Sequence, residues 1–282
     1  MTSDAFIEIE ELLVLLSDPR LRIVDARSTP HGAPGVVALS AAEQYALGHI
    51  PGAIQLDYAD QLADPATPHA ARVAPPELYA QVLGEHGIGD DAILVAYDDG
   101  DTPYAARFVW MCRYYGHDAV RVLAGGMPAW VNAGQSLTTD APSYPPATFT
   151  PRVRPALRAL REEVLAVAEG RSDAQLLETQ RDKTYAQREH DIRNAVRLSG
   201  SLLLEDHRGG RVADRATIDR LVGDLGLDRS KRTIVSCGSG VSASGSYLAL
   251  LENGFTDVAV YDGSWMEWSH HGDPVAPKPV TR

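Results

Sequence analysis

ILVAYDDGDTPYAARFVWMCRYYGHDAVRVLAGGMPAW (93–130) and TIVSCGSGVSASGSYLALLENGFTDVAVYDGSWMEW (233–268) are one unit written twice. Gly116 and Gly254 are offset by 138 positions, as are Trp130 and Trp268, with one residue of slack in the loop. Each copy reads as a short β-branched strand, a polar loop with glycine, a helix ending at glycine, a second strand, then glycine and tryptophan. Strands alternating with helices of this length imply α/β units built on a parallel sheet. Upstream, RIVDA (22–26) and QLLE (175–178) read as buried strands entering polar loops. GHIPGAIQLD (48–57) is a turn running into a strand. Its counterpart VRLSGSLLLED (196–206) keeps Gly200 and the apolar run but lacks His-Ile-Pro.

Between the copies lies LTTDAPSYPPATFTPRVRP (137–155), with prolines at 142, 145, 146, 151 and 155. Proline has no amide donor and a fixed φ, so this stretch suits an extended linker. The expected organisation is therefore an N-terminal domain over 1–136, a linker over 137–155 and a C-terminal domain over 156–282. A chain of 282 residues fits two domains.

Net charge is −12, which argues against nucleic acid or an anionic membrane surface as a partner. Almost all of it falls in 1–136, where 7 Lys and Arg face 18 Asp and Glu; residues 156–282 carry 17 and 19. A small anion therefore meets less repulsion in the second half. No stretch is apolar enough to span a membrane, and MTSDAFIEIE lacks the basic and apolar regions of a signal peptide, so the cytoplasm is the expected compartment. Two distant cysteines, Cys112 and Cys237, form neither a disulfide framework nor a CxxC pair.

Cys237 closes an apolar strand and is followed by Gly238, Ser239, Gly240 and a helix expected over about 242–253. A strand-to-helix turn aims successive backbone N–H groups, here those of Gly238 to Ser242 including Val241, at one point and adds the positive end of the helix dipole. An anion on sulfur is stabilised there, which makes Cys237 the candidate nucleophile. Cys112, inside FVWMCRYYG, is expected to be a buried structural thiol. Cysteine phosphatases need an arginine six residues after the cysteine, where Ala243 stands, and no Lys or Arg occurs in 238–251. A nucleotide-binding glycine loop is excluded by the lack of a Gly-Lys-Ser/Thr run or GxGxxG.

VDAR (24–27), GHIPGA (48–53), the duplicated unit, CGSGVSAS (237–244) and YDGSWMEW (261–268) together resemble tandem-domain rhodaneses. Within that family the CGSGV loop is more similar to 3-mercaptopyruvate sulfurtransferases than to thiosulfate-preferring members. The resemblance implies two tandem rhodanese-like α/β domains, each a parallel sheet flanked by helices, with the catalytic cysteine in the second only; Asp98-Asp99 stands where the second copy has Ser236-Cys237. It implies a Cys237 persulfide fed by 3-mercaptopyruvate, with Ser239 hydrogen-bonding the sulfur or moving a proton. A thiol (thioredoxin- or glutathione-like) or cyanide accepts the sulfur, and no metal or organic cofactor is involved. Thiosulfate-preferring rhodaneses resemble one another in basic residues after the cysteine, whereas this loop is neutral. The rivals are a thiosulfate:cyanide sulfurtransferase and a persulfide carrier module fed by a protein donor.

The match is thin between 178 and 215. The first of two family arginines falls at Thr184, beside Lys183; Arg188 is the counterpart of the second, with Arg193 and Arg197 as rivals. His69 sits where the family places a histidine, while the accompanying aspartate lands on Ala59. Substrate-binding expectations therefore rest on Arg188, His69 and Lys183. Asp25 and Arg27 read as a structural ion pair, His49 as a turn residue, and Trp130, Trp265 and Trp268 as packing. His270-His271 has no second ligand cluster, so no metal is expected there.

Overall fold

The computed structural model describes residues 5–29, 39–67, 72–100, 102–204 and 211–278. The chain separates into two compact units, one built on 5–65 and 73–153, the other on 154–278 with the segment that ends at Arg72.

The N-terminal unit runs β1 (Phe6–Ile7), α1 (Ile9–Leu15), β2 (Leu21–Asp25), α2 (Ala41–Leu47), β3 (Ala53–Gln55), α3 (Pro76–Glu85), β4 (Ile93–Tyr97), α4 (Tyr104–Tyr114), β5 (Val120–Leu123) and α5 (Gly126–Asn132). Its five strands are all parallel, in the order β1-β5-β4-β2-β3. Parallel neighbours need a crossover, which the intervening helices supply. The apolar runs LRIVD and ILVAY occupy the middle of the sheet, where both faces are covered. Helix α2 starts at a reciprocal capping box between Ser40 and Glu43.

The C-terminal unit runs α6 (Arg161–Ala168), β6 (Gln175–Glu178), α7 (Asp182–Tyr185), β7 (His190–Ile192), β8 (Val196–Arg197), α8 (Arg215–Asp224), β9 (Thr233–Ser236), α9 (Val241–Glu252), β10 (Val258–Val260), α10 (Ser264–His271) and β11 (Val275–Pro277). Four parallel strands lie in the order β10-β9-β6-β8, and β11 pairs antiparallel with β7. Helix α9 is buried over most of its surface; its small residues Ser244, Gly245 and Ser246 let it lie close to the backbone. A Cβ on Gly200 would sit 2.7 Å from the Thr179 carbonyl and 3.2 Å from Ser246 Oγ, which explains why glycine survives where His-Ile-Pro does not.

Each unit has its own core, and the repeated tryptophan stands in both: Trp130 with Ile7, Ile23, Val95 and Leu123, Trp268 with Val164, Leu176, Ile234 and Ala259. Each indole N–H donates to a nearby carbonyl, Ser136 or Pro274, so burying the ring strands no donor. Asp25 and Arg27 form the expected buried pair, extended by an Arg27 bond to the Gly48 carbonyl and by the Tyr97 hydroxyl on Asp25. His49 stacks on Tyr45 and bonds the Tyr45 and Asp140 carbonyls.

The proline-rich stretch is extended, and its part up to 153 packs on the N-terminal unit. Thr138 pairs with His49, the Tyr144 hydroxyl donates to the Gly52 carbonyl, and the Tyr144 ring lies 4.1 Å from the Arg22 guanidinium. The Ala147 and Arg152 amides donate to Gly84 and Tyr115. Among the described residues no helix is long and apolar enough to cross a membrane.

Candidate active site

Cys237 follows the last residue of β9 and sits 2% exposed in front of α9. Gly240 caps that helix with φ +82°, a left-handed conformation that glycine adopts without strain. The turn brings the Gly240 N–H to 3.2 Å from Cys237 Sγ. The next amides, of Val241 and Ser242, lie in the first turn of α9, where the helix offers them no acceptor of its own, and no other partner is seen among the described residues. The Ser239 hydroxyl has no partner among the described residues, which leaves it available to a substrate.

A second helix start holds the same loop. The Trp265 amide donates to the Cys237 carbonyl at 3.1 Å and the Met266 amide to the Gly238 carbonyl at 3.0 Å. Ser264 Oγ accepts the Cys237 N–H at 3.1 Å, donates to the Tyr261 carbonyl at 2.7 Å and lies 4.0 Å from Cys237 Sγ. Ser264 is fully buried with φ +50°, a backbone region costing a non-glycine residue on the order of 1–3 kcal/mol. The equivalent residue of the first copy is Gly126, with φ +58°.

The third support is ionic. Arg188 donates to the Cys237 carbonyl at 2.8 Å and to the Glu178 carboxylate at 2.9 Å, with its guanidinium 4.7 Å from the Trp265 ring. Glu178 ends β6 and is fully buried; burial, opposed by Arg188, pushes its carboxyl up to about 7. Arg188 Nε is buried and has no hydrogen-bond partner among the described residues. Arg197 packs over the Tyr185 ring and donates to the Glu178 carbonyl and to Asp182. Of the three arginines weighed from sequence, Arg188 and Arg197 thus gather around Glu178. Arg193 is exposed and contributes its amide to the Pro274 carbonyl. Lys183 is exposed on α7. His69 lies outside the described residues.

Gly238 is packed against Gln180: a Cβ there would stand 3.1 Å from Gln180 Nε2. A side chain at this position would press on the Gln180 amide, which would have to give by a few tenths of an ångström. Glu178, Gln180 and Ser264 were not singled out in the sequence. The internal repeat holds the signal for two of them, since Glu178 occupies the place of Asp25, and Ser264 that of Gly126.

The first copy carries a carboxylate where the second carries the thiol. Asp25 pairs with Tyr97 and Glu178 with Ser236, and the Asp98 and Cys237 carbonyls accept the Met127 and Trp265 amides in the same way. Asp98, rather than Asp99, is therefore the counterpart of Cys237. Its carboxylate takes the Gly100 and Ala105 amides at 2.8 and 2.9 Å, filling the loop with the protein's own anion. Burial pushes Asp98 up to about 7. Cys112 is fully buried beside the Tyr79 hydroxyl, and burial pushes its thiol up to about 12, as suits a structural residue.

The rhodanese-like domain family matches residues 8–133 and again 161–271. The chain is 31% identical to the 3-mercaptopyruvate sulfurtransferase of Escherichia coli strain K12, over 98% of its own length and 99% of that protein. It is also 31% identical to the thiosulfate sulfurtransferase of Bos taurus, over 91% and 87%. Among solved structures it is similar to SseA from Escherichia coli, described as showing the "rhodanese" fold and catalytic mechanism of 3-mercaptopyruvate sulfotransferases. That match has a TM-score of 0.82 and 28% identity, and covers 93% of this chain and 98% of SseA. With two matched domains and relatives aligned from end to end, this chain belongs to the rhodanese family.

Proposed function

We propose that the protein is a sulfurtransferase that takes sulfur from 3-mercaptopyruvate onto Cys237 and passes it to a thiol or to cyanide. The observation that carries this reading is the neutral Cys237–Gly240 turn, with a backbone N–H already on the sulfur and the first-turn amides of α9 beside it. The Cys237 thiolate attacks the sulfur of the donor. The sulfur–sulfur bond forms as the carbon–sulfur bond breaks, and the electron pair leaves as the enolate of pyruvate, which takes up a proton. Ser239, next but one to Cys237, is the residue we assign to relay that proton. An acceptor thiolate (thioredoxin- or glutathione-like) or cyanide then attacks the terminal sulfur and releases the Cys237 thiolate. The loop amides that stabilise thiolate equally stabilise the persulfide anion.

Donor preference follows from charge. Thiosulfate is a dianion, and the loop Gly238–Ser242 offers it no basic side chain. The single carboxylate of mercaptopyruvate suits one arginine, and Arg188, which already holds the Cys237 carbonyl, is the residue we assign to it, with Lys183 and His69 as further candidate contacts. We place catalysis in the C-terminal domain, 156–282, and the protein in the cytoplasm, where reducing conditions keep a reactive thiol free. Steady-state transfer to cyanide tests the preference. The reading expects kcat/KM for 3-mercaptopyruvate to exceed that for thiosulfate by about tenfold or more. The reverse order would make the protein a thiosulfate sulfurtransferase.

A further inference from the structure

We infer that the N-terminal unit carries a binding site of its own, a cavity beside β3 that takes a small organic cation with a flat apolar body and an amidinium, guanidinium or ammonium head. The inference does not depend on the reading of Cys237. The cavity has a volume of about 430 Å³, within the range of small-molecule sites, about 300–1,000 Å³. Strand β3 is the edge of its sheet, and the space beside it is closed by α2, the end of α3 and residues 141–144 of the proline-rich stretch. Ile54 gives it an apolar wall, and Tyr45 and Tyr144 give it aromatic ones.

The polar groups around this space meet it mainly as acceptors. Gln55 turns its Nε2 into the protein, where that atom is buried, so the amide shows the cavity its carbonyl end. His86 Nδ1 lies 2.7 Å from the Val82 carbonyl, which can only accept, so the ring proton sits on Nδ1 and Nε2 offers a lone pair. The Tyr45 and Tyr144 hydroxyls spend their single protons on the Ala53 and Gly52 carbonyls at 2.6 and 2.9 Å, which leaves their oxygens as acceptors. Glu85, exposed and lining the same space, adds a carboxylate. None of the lining residues is Lys or Arg. Arg22 lies 4.1 Å from the Tyr144 ring, but it is bound to the Pro19, Leu21 and Gly87 carbonyls and does not line the cavity. With 7 Lys and Arg against 18 Asp and Glu in residues 1–136, the surrounding field repels an anion and draws in a cation. Acceptors without a basic side chain therefore suit a head group rich in N–H donors, and the apolar walls suit the body behind it.

Benzamidine, benzamide and benzoate test this as a cation, a neutral amide and an anion of one shape. Binding to the full chain is followed by backbone amide shifts in NMR. Benzamidine should saturate with a Kd below about 1 mM and move the amides of residues 53–55 and 84–86. Benzamide should bind at least about tenfold more weakly, and benzoate not at all. Glu85→Gln and Gln55→Leu should each weaken benzamidine by about threefold or more. Gln55→Leu removes a buried nitrogen that has no partner, so its unfolding midpoint should equal or exceed that of the parent. Glu10→Gln takes the same charge from an exposed position on α1 outside the cavity and should leave binding unchanged. Equal affinity for benzamidine and benzamide overturns the inference, because the site would not read charge. So does a lack of saturation by benzamidine at about 10 mM, or shifts confined to other residues. An effect of Glu10→Gln as large as that of Glu85→Gln overturns it too, since it would mark unspecific attraction to an acidic surface.

Discussion

Replacing Arg188 by alanine puts the ionic support of the active loop to a quantitative test. Its guanidinium and the Glu178 carboxylate are 5% and 0% exposed and 2.9 Å apart, and the same guanidinium holds the Cys237 carbonyl. Removing one member of such a pair leaves the other charge buried without a counterion, at a cost of about 3–5 kcal/mol. Glu178 can soften that loss by taking up a proton. Burial already pushes it up to about 7 against the pull of Arg188, and without the arginine it rises further. At pH 6 the variant therefore holds a neutral Glu178, and its deficit shrinks to the orphaned carbonyl and lost packing, about 1–3 kcal/mol. At pH 8.5 the folded parent ionises Glu178 beside Arg188, as the unfolded chain already does at pH 6, while the folded variant cannot, so the full deficit returns. Urea unfolding at both pH values, followed by tryptophan fluorescence, should show Arg188→Ala losing more stability at pH 8.5 than at pH 6. Adding Glu178→Gln should abolish that difference. A variant within about 1 kcal/mol of the parent at pH 8.5, or equally destabilised at both pH values, would refute the reasoning.

Three further outcomes follow from the same geometry. Cys112, with its thiol pushed up to about 12 by burial, should escape iodoacetamide at pH 8 in the folded protein, so peptide mapping should find one modified cysteine, and modification of both would contradict the assignment. Gly126→Ala should destabilise the N-terminal unit by about 2 kcal/mol or more, because its Cβ would stand 2.5 Å from the Asp98 carbonyl at φ +58°; a loss below about 0.5 kcal/mol in thermal or urea unfolding would refute this. Asp98, raised from 3.8 to about 7, keeps its proton in the folded protein over a range where the unfolded chain has released it. It therefore makes stability fall as pH rises from about 4 to about 7. The unfolding midpoint of Asp98→Asn should vary less over that window, and an unchanged slope would show that Asp98 is not the group responsible.

The duplicated stretch was enough to find both sheets, because a strand, a helix and a second strand in fixed order leave few topologies open. It also located Cys237 and its glycine turn, whose chemistry is local in sequence. What stayed hidden depends on distance. Asp25 and Arg27 are two residues apart and readable as a pair, whereas Glu178 meets Arg188 only after α7 brings the chain back to the strand end. Tyr144 reads as part of a linker until the fold sets it on Arg22 and Gly52. Ser264 looks like an ordinary serine between Gly263 and Trp265, since a side-chain letter does not record the sign of φ. Comparing the two copies position by position would have exposed it, because Gly126 stands in the same place.

The central claim, that Cys237 is the sulfur carrier and 3-mercaptopyruvate its donor, is tested most directly by intact mass. The reduced protein is briefly exposed to 3-mercaptopyruvate or, separately, to thiosulfate, and any adduct is mapped by peptide. The account predicts one added sulfur, on Cys237, from 3-mercaptopyruvate, and none in Cys237→Ser. An adduct from thiosulfate alone, or no adduct from either donor on a folded protein whose Cys237 still alkylates, would contradict it, the second result pointing to a persulfide carrier fed by another protein.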